Sequence, residues 1–166
     1  MSSSQGSRIP RIGFGWDSHE FRPGIPLKIG GVTVPHHSGL AGHSDGDVLL
    51  HALTDALLGA IAAGDIGTYF PPSDPKWKGA DSVLFVKEAL RLVDESGYQV
   101  GNVDSTLILA EPKIGPHAAE IQKKVAELLS IEPSRVGIKA KTPEGMGTDH
   151  AAIAHVAVLL VEINWP

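Results

Sequence analysis

Ile12-Gly-Phe-Gly-Trp-Asp-Ser-His19, followed by His43-Ser-Asp-Gly-Asp-Val-Leu-Leu-His51, is the part of the chain on which the fold and the chemistry turn. Strand side chains alternate with period two, so an Asp-x-His on a strand sends both side chains to one face. Asp17 and His19 have that spacing, and a His near the start of a following helix, His51, can supply a third ligand. One carboxylate and two imidazoles suit a catalytic Zn²⁺ whose fourth position stays open. The alternative is a surface Asp, a core His and a helix N-terminal His, and spacing alone leaves both open.

Working outward, Arg11–Trp16 reads as the first strand. Leu27–Val34 reads as a hairpin around Gly30-Gly31, whose glycines allow a tight primed turn. Residues 36–43 read as a polar loop. Ser44 and Asp47 have the spacing of a helix start with Ser44 as N-cap, and the helix is expected to reach Ala63 and stop at Gly64. Asp65–Lys78 is a Pro- and Gly-containing loop, longer than most loops in compact domains and therefore a candidate lid.

Further along, Asp81–Ser96 has a helical apolar face of Val83, Val86, Leu90 and Val93. Val103–Leu109 reads as a strand, and 117–129 as a helix with Ile121, Val125 and Leu128 inward. Val136–Lys141 is another strand. Ile153–Ile163 is apolar at both parities, which predicts a strand buried on both faces. The total is an α+β fold, an α/β sandwich with a mixed sheet and helices on one face. No repeat or linker divides it, so residues 8–166 are expected to form one domain behind a disordered tail, 1–7.

Composition narrows the function. With 166 residues and 42 % apolar content the chain can bury a core. It has no cysteine, so disulfides, thiolate metal sites and Cys nucleophiles drop out together, and a transition metal must use the 8 His and the carboxylates. A formal charge of −5 argues against a general nucleic-acid binder, though not against a local basic pocket. No apolar run has the length of a membrane span. Met1–Ser7 lacks the apolar core of a secretory signal and reads as a tail, an expression remnant or the stub of a transit peptide.

Four other segments carry chemistry-bearing residues. His43, Asp47, His51 and Asp55 are spaced by four, and a carboxylate one turn from a ligating His can fix its tautomer. Asp65, between Gly64 and Gly67, can accept hydrogen bonds from a substrate, although spacing alone favours helix capping and turn formation. Glu111-Pro-Lys113-Ile-Gly-Pro-His117 joins a strand to a helix and offers backbone N–H groups and an ammonium to phosphates. Lys139-Ala-Lys-Thr-Pro-Glu144 puts a hydroxyl and a carboxylate beside two lysines, which suits a metal-bound diphosphate. A plain charged turn explains that last segment as well. P-loop, dinucleotide, H-E-x-x-H and G-x-S-x-G signatures are absent.

Taken in order, Arg11–His19, Gly42–His51, Gly64–Gly67, Lys113 with Pro116-His117, and Lys139–Glu144 resemble the 2-C-methyl-D-erythritol 2,4-cyclodiphosphate synthase family. The likeness runs from about Arg8 to Val161. It implies conversion of 4-diphosphocytidyl-2-C-methyl-D-erythritol 2-phosphate to the cyclodiphosphate, with release of CMP. It implies Zn²⁺ on Asp17, His19 and His51, and Mg²⁺ or Mn²⁺ on Glu144. His43 and Thr142 match the family's transition-state stabilisers.

The same resemblance implies a methylerythritol site at His43, Ser44, Asp65, Ile66, Gly67 and Phe70 to Asp74. Leu109, Pro112, Lys113, Lys141, Thr142 and Glu144 would hold the cytidine diphosphate part, with Asp17 and His19 on the substrate phosphate. A ferredoxin-like homotrimer with active sites between subunits is implied too. The compartment would be cytoplasm in a bacterium and plastid stroma in a plastid-bearing host. The chain departs from the family in two places: Gly145–Ile153 is about two residues shorter and lacks an Arg, and Pro72 stands where Asp is common. A zinc phosphoesterase, or an inactive trimer that binds metal or nucleotide, also fits these residues.

Overall fold

The computed structural model describes residues 9–163. The expected tail, 1–7, and the outer limits of the expected domain therefore lie outside the described residues. The main sheet holds β1 (Arg11–Pro23), β4 (Ser38–Leu40), β5 (Tyr98–Ile108), β6 (Val136–Lys141) and β7 (Ala151–Glu162), in the order β4-β1-β7-β5-β6. Pairing is antiparallel throughout except for parallel β5 and β6, so the sheet is mixed. A separate hairpin, β2 (Leu27–Ile29) and β3 (Val32–Val34), turns at Gly30-Gly31, both at positive φ, as the sequence predicted.

Helices α1 (Val48–Ala60), α3 (Val83–Glu95) and α4 (Ala118–Leu129) are joined by a one-turn helix, α2 (Ile66–Tyr69). Crossing helices separate β1 from β5, and β5 from β6, while β7 returns antiparallel between β1 and β5. The order of the sheet elements is thus β-α-β-α-β-β. The ferredoxin-like order, β-α-β-β-α-β, is not the one present, because α4 intervenes before β6 and makes it parallel to β5.

Residue parity on β1 decides where α1 sits. A Cβ built on Gly13 would lie 1.8 Å from the Ala56 carbonyl oxygen, and one on Gly15 would lie 1.8 Å from that of Ala52. The odd-numbered side of β1 therefore has no side chain at these two positions, and α1 lies directly against the strand backbone. A Gly15→Ala variant is expected to lose about 3 kcal/mol of stability or more, because backbone cannot move aside as a side-chain tip can. Denaturant unfolding measures this, and a loss below about 1 kcal/mol would contradict the close approach.

Nearly every residue of α1 is buried, between the sheet below and α3 beside it. Its N-cap is Asp47 rather than Ser44. The Asp47 carboxylate is fully buried and accepts from Leu50 N at 3.0 Å, Gly30 N at 2.9 Å and Gly31 N at 2.7 Å. One side chain thus caps the helix and pins the hairpin turn. Asp47→Ala removes the acceptor for three N–H groups, and a cost of about 3–5 kcal/mol is expected. A thermal melt checks it; a shift of only a degree or two would show the turn to be held by packing alone.

Other boundaries move for identifiable reasons. Beyond Trp16, β1 continues because its polar residues pair with β7 on one side and β4 on the other. Ser38-Gly-Leu40, expected as loop, is the short edge strand of that pairing. Asp65–Lys78 is not an open loop: it contains α2 and a 3₁₀ turn at Pro75–Trp77. In β7 the prediction of burial on both faces fails within one chain. Ala152, Ala154, Val156, Val158 and Leu160 are buried under the helices, while the alternate residues are half-buried or exposed. On that open face Ile12, Phe14 and Trp16 of β1 are 77 %, 63 % and 50 % exposed.

Candidate active site

Asp17 and His19 continue the odd-numbered side of β1, so they face the first turn of α1 and meet His51. Asp17 Oδ2 lies 2.8 Å from His19 Nε2 and 3.0 Å from His51 Nδ1, and the two nitrogens are 2.9 Å apart. Among the described residues these three form a group that can hold a metal ion. A tetrahedral zinc has ligands at about 2.0–2.2 Å, which places them some 3.3 Å from one another, so the triangle needs to open by only a few tenths of an ångström. The donor set and the geometry fit the ion.

Electrostatics are tuned the same way. Burial on its own would raise the Asp17 carboxyl, but hydrogen bonds and charge from His19 and His51 outweigh it and hold it at about 2. Burial likewise opposes a charge on His19, yet its Asp17 partner raises the imidazole above its ordinary value. The carboxylate is therefore ionised and clamped between two rings, ready to accept a cation.

Behind the triangle, His51 Nε2 lies 2.8 Å from Ser44 Oγ and 2.9 Å from Ser82 Oγ. The expected partners on α1 do not serve here. Asp47 is committed to its cap and the hairpin, and Asp55 accepts from Ile66 N at 2.7 Å. Spacing by four on a helix placed them near His51, but backbone donors elsewhere took both carboxylates.

A cleft opens over the centre, lined by His19, His43, Ser44 and His51 on one side and Ile66, Gly67, Phe70, Pro72, Trp77 and Phe85 on the other. The ring of Phe70 is 4.4 Å from that of Phe85 and 4.9 Å from that of Trp77, so this wall is anchored in an aromatic cluster. Two further expected residues turn to their own loop: Asp65 accepts from Thr68 N and Oγ1, both at 2.9 Å, and Asp74 accepts from Lys76 N at 3.0 Å. Neither lines the cleft.

A second pocket is lined by Leu109, Pro112, Lys113, Ile114, Lys141 and Thr142, where β5 and β6 end. The Thr142 hydroxyl hydrogen-bonds the Glu144 carboxylate. Registers connect the pockets: Ser18 pairs Ile153, Ile153 pairs Ile108, and Ile108 pairs Lys141. Three strand spacings of about 4.8 Å put Ser18 on β1 and Lys141 on the edge strand β6 some 14 Å apart at one end of the sheet. The structure thus gathers Asp17, His19, His43, Ser44 and His51 in one place, and Leu109, Pro112, Lys113, Lys141 and Thr142 in another.

Sequence reasoning missed Ser82, Asp45, Trp77 and Phe85. Ser82 stands at the N-cap of α3 but makes no side-chain cap bond there; Asp81 takes Val83 N at 3.0 Å instead. The adjacent Asp81-Ser82 pair, two cap formers where one suffices, was the available signal.

The YgbB family model matches residues 10–162. The 2-C-methyl-D-erythritol 2,4-cyclodiphosphate synthase of Koribacter versatilis (strain Ellin345) is 70 % identical over 150 residues, 90 % of this chain and 97 % of its own. The chloroplastic 2-C-methyl-D-erythritol 2,4-cyclodiphosphate synthase of Arabidopsis thaliana is 53 % identical over 155 residues, 92 % of this chain and 67 % of its own. A solved structure of a 2C-methyl-D-erythritol-2,4-cyclodiphosphate synthase in a CDP-bound form superposes with a TM-score of 0.86 at 42 % identity, covering 90 % of this chain and 99 % of that one.

Proposed function

The chain belongs to the YgbB family, and from that premise we propose how its two pockets divide the chemistry. The protein is a phosphorus–oxygen lyase of the non-mevalonate route to isoprenoid precursors. It converts 4-diphosphocytidyl-2-C-methyl-D-erythritol 2-phosphate to 2-C-methyl-D-erythritol 2,4-cyclodiphosphate and releases CMP. An oxygen of the 2-phosphate attacks the β-phosphorus, the bond from that phosphorus to the bridging oxygen breaks, and CMP leaves with that oxygen. The substrate carries its own nucleophile, so no side chain need become covalently bound.

Asp17, His19 and His51 hold Zn²⁺, and Glu144 holds Mg²⁺ or Mn²⁺. When bound, these ions supply positive charge to the crowded phosphate oxygens. His19 and Ser44 line the cleft beside that centre, where the 2-phosphate enters. Ile66, Gly67 and Phe70 wall the methylerythritol carbons, with Asp65 and Asp74 at the rim. Leu109 and Pro112 wall the cytidine side, while Lys113 and Lys141 offset diphosphate charge. His43 and Thr142 donate to phosphate oxygens as negative charge shifts during the displacement. Since the step is intramolecular, holding the groups in line and stabilising that charge supply most of the rate.

One chain holds the two halves about 14 Å apart and leaves the sheet face turned away from α1 apolar and open. Covering that face with further copies of the chain buries Ile12, Phe14 and Trp16 and brings the Lys113 side of one copy to the His51 side of the next. The assembly is a homotrimer with active sites between subunits. Residues 8–166 act as one domain in it. Among the described residues no helix is long and apolar enough to cross a membrane. Bacterial and chloroplastic relatives alike suit cytoplasm in a bacterial host and stroma in a plastid.

The observation that carries this assignment is the Asp17–His19–His51 triangle, whose two histidines line the cleft. Purified protein with Zn²⁺ and Mg²⁺, given the nucleotide substrate, is expected to yield a cyclic diphosphate by ³¹P NMR together with CMP. A linear product carrying oxygen from water would identify a zinc hydrolase instead, and no product at all would identify a binding scaffold.

A further inference from the structure

Ser82 and Asp45 lie behind His51, on the side away from the proposed metal. Ser82 is fully buried, and its Oγ sits 2.9 Å from His51 Nε2 and 2.5 Å from Asp45 Oδ1. An ionised carboxylate only accepts, so the single hydroxyl proton of Ser82 points to Asp45. Ser82 therefore presents a lone pair to Nε2, and Nε2 is the nitrogen that carries the proton. A neutral imidazole has one such proton, which leaves Nδ1 bare. Nδ1 is the atom that faces Asp17 Oδ2 and His19 Nε2.

We infer that Asp45 and Ser82 are positioning residues that lock His51 in its Nε2–H tautomer, so that Nδ1 offers its lone pair to the metal. The groups around Asp45 agree on that polarity, whereas Asp17 Oδ2, 3.0 Å from Nδ1, pulls the other way and makes the relay necessary. Lys28 Nζ and Ser82 N both donate to Asp45 Oδ2, each at 3.3 Å, which orients the carboxylate. Ser44 Oγ shares the Nε2–H and lies 3.3 Å from Ser82 Oγ, where it can donate to the remaining lone pair. Without the relay the imidazole has an alternative: it can carry its proton on Nδ1 and donate it to Asp17. That is a sound hydrogen bond but leaves no lone pair for a metal. Partners of this kind commonly change metal affinity by about 10–100-fold.

The inference rests on the zinc role proposed for Asp17, His19 and His51, and its test separates the two. Long-range ¹H–¹⁵N spectra of the metal-free protein, recorded where the rings are neutral, report the His51 tautomer directly. Nε2–H is expected in the parent chain. In Asp45→Asn the two donors at Oδ2 claim the amide oxygen, so the NH₂ group faces Ser82 Oγ. The hydroxyl proton must then turn to Nε2, and the tautomer should flip to Nδ1–H. Ser82→Ala should give a mixture, and Ser82→Thr should keep Nε2–H.

Chelator competition is expected to show zinc held about 10–100-fold more weakly by Asp45→Asn and Ser82→Ala, with Ser82→Thr within a few-fold of the parent. A merely structural role would lower stability in excess chelator but would not move the tautomer. An Nδ1–H parent, or unchanged tautomer and zinc affinity in both weakened variants, overturns the relay. An Nε2–H parent that binds no zinc upholds the relay and overturns the zinc site.

Discussion

His51→Ala is expected to slow CMP release by about a thousand-fold or more, the equivalent of roughly 4 kcal/mol of transition-state stabilisation. The expectation follows from what the ring touches. Nδ1 closes the triangle with Asp17 and His19, while Nε2 is buried against Ser44 and Ser82. Alanine removes one of three ligands, and the remaining Asp–His pair is too few for a structural grip on zinc. It also frees Asp17 from one of the partners that keep its carboxyl at about 2. Metal content should fall with activity, and Asp17→Asn should behave alike, since it keeps the shape and removes the charge. Mass spectrometry of the native protein reads the metal, and a coupled CMP assay reads the rate. Normal turnover in either variant would remove the triangle from the mechanism.

The part of this site carried by local rules was legible in the chain. Period two places Asp17 and His19 together, and it also separates Gly13 and Gly15, which touch α1, from Ile12, Phe14 and Trp16, which do not. What the sequence concealed depends on partners distant along the chain. Asp47 looked like a helper for His51, but the N–H groups of Gly30 and Gly31 claim it from 17 and 16 residues upstream. Ser82 drew no notice at the start of the Asp81–Ser96 helix, because its partners His51 and Asp45 lie 31 and 37 residues away along the chain. Ser38–Leu40 is a strand only because β1 runs on past its apolar half to pair with it. The apolar residues on both faces of β7 predict burial on both, but within one chain only the helix-facing side is covered.

Phe14→Asp is expected to convert the proposed trimer to monomers and to abolish turnover while leaving zinc binding at the proposed centre intact. Phe14 is 63 % exposed on the open face, against the ring of His155 at 5.9 Å. A carboxylate there is harmless in a monomer, but covering it with a second chain would bury an unpaired charge at a cost of several kcal/mol. Asp17, His19 and His51 all come from one chain, so zinc content should persist. Sedimentation and metal analysis on the same sample separate loss of assembly from loss of the centre. A monomer that keeps full activity would place the whole site within one chain.

Mixing two variants of the proposed trimer is expected to restore activity that neither has alone. His51→Ala damages the metal side of a site, and Glu144→Gln damages the diphosphate side. If each site joins the metal side of one subunit to the diphosphate side of its neighbour, dissociating and reassembling the two inactive proteins together creates some intact sites. Random mixing in a three-fold ring gives about a quarter of the parent's sites. If both sides of a site came from the same chain, every site would retain one defect and mixing would restore nothing. Recovered activity therefore tests the division of labour that the 14 Å separation implies, independently of whether either substitution has the size of effect expected.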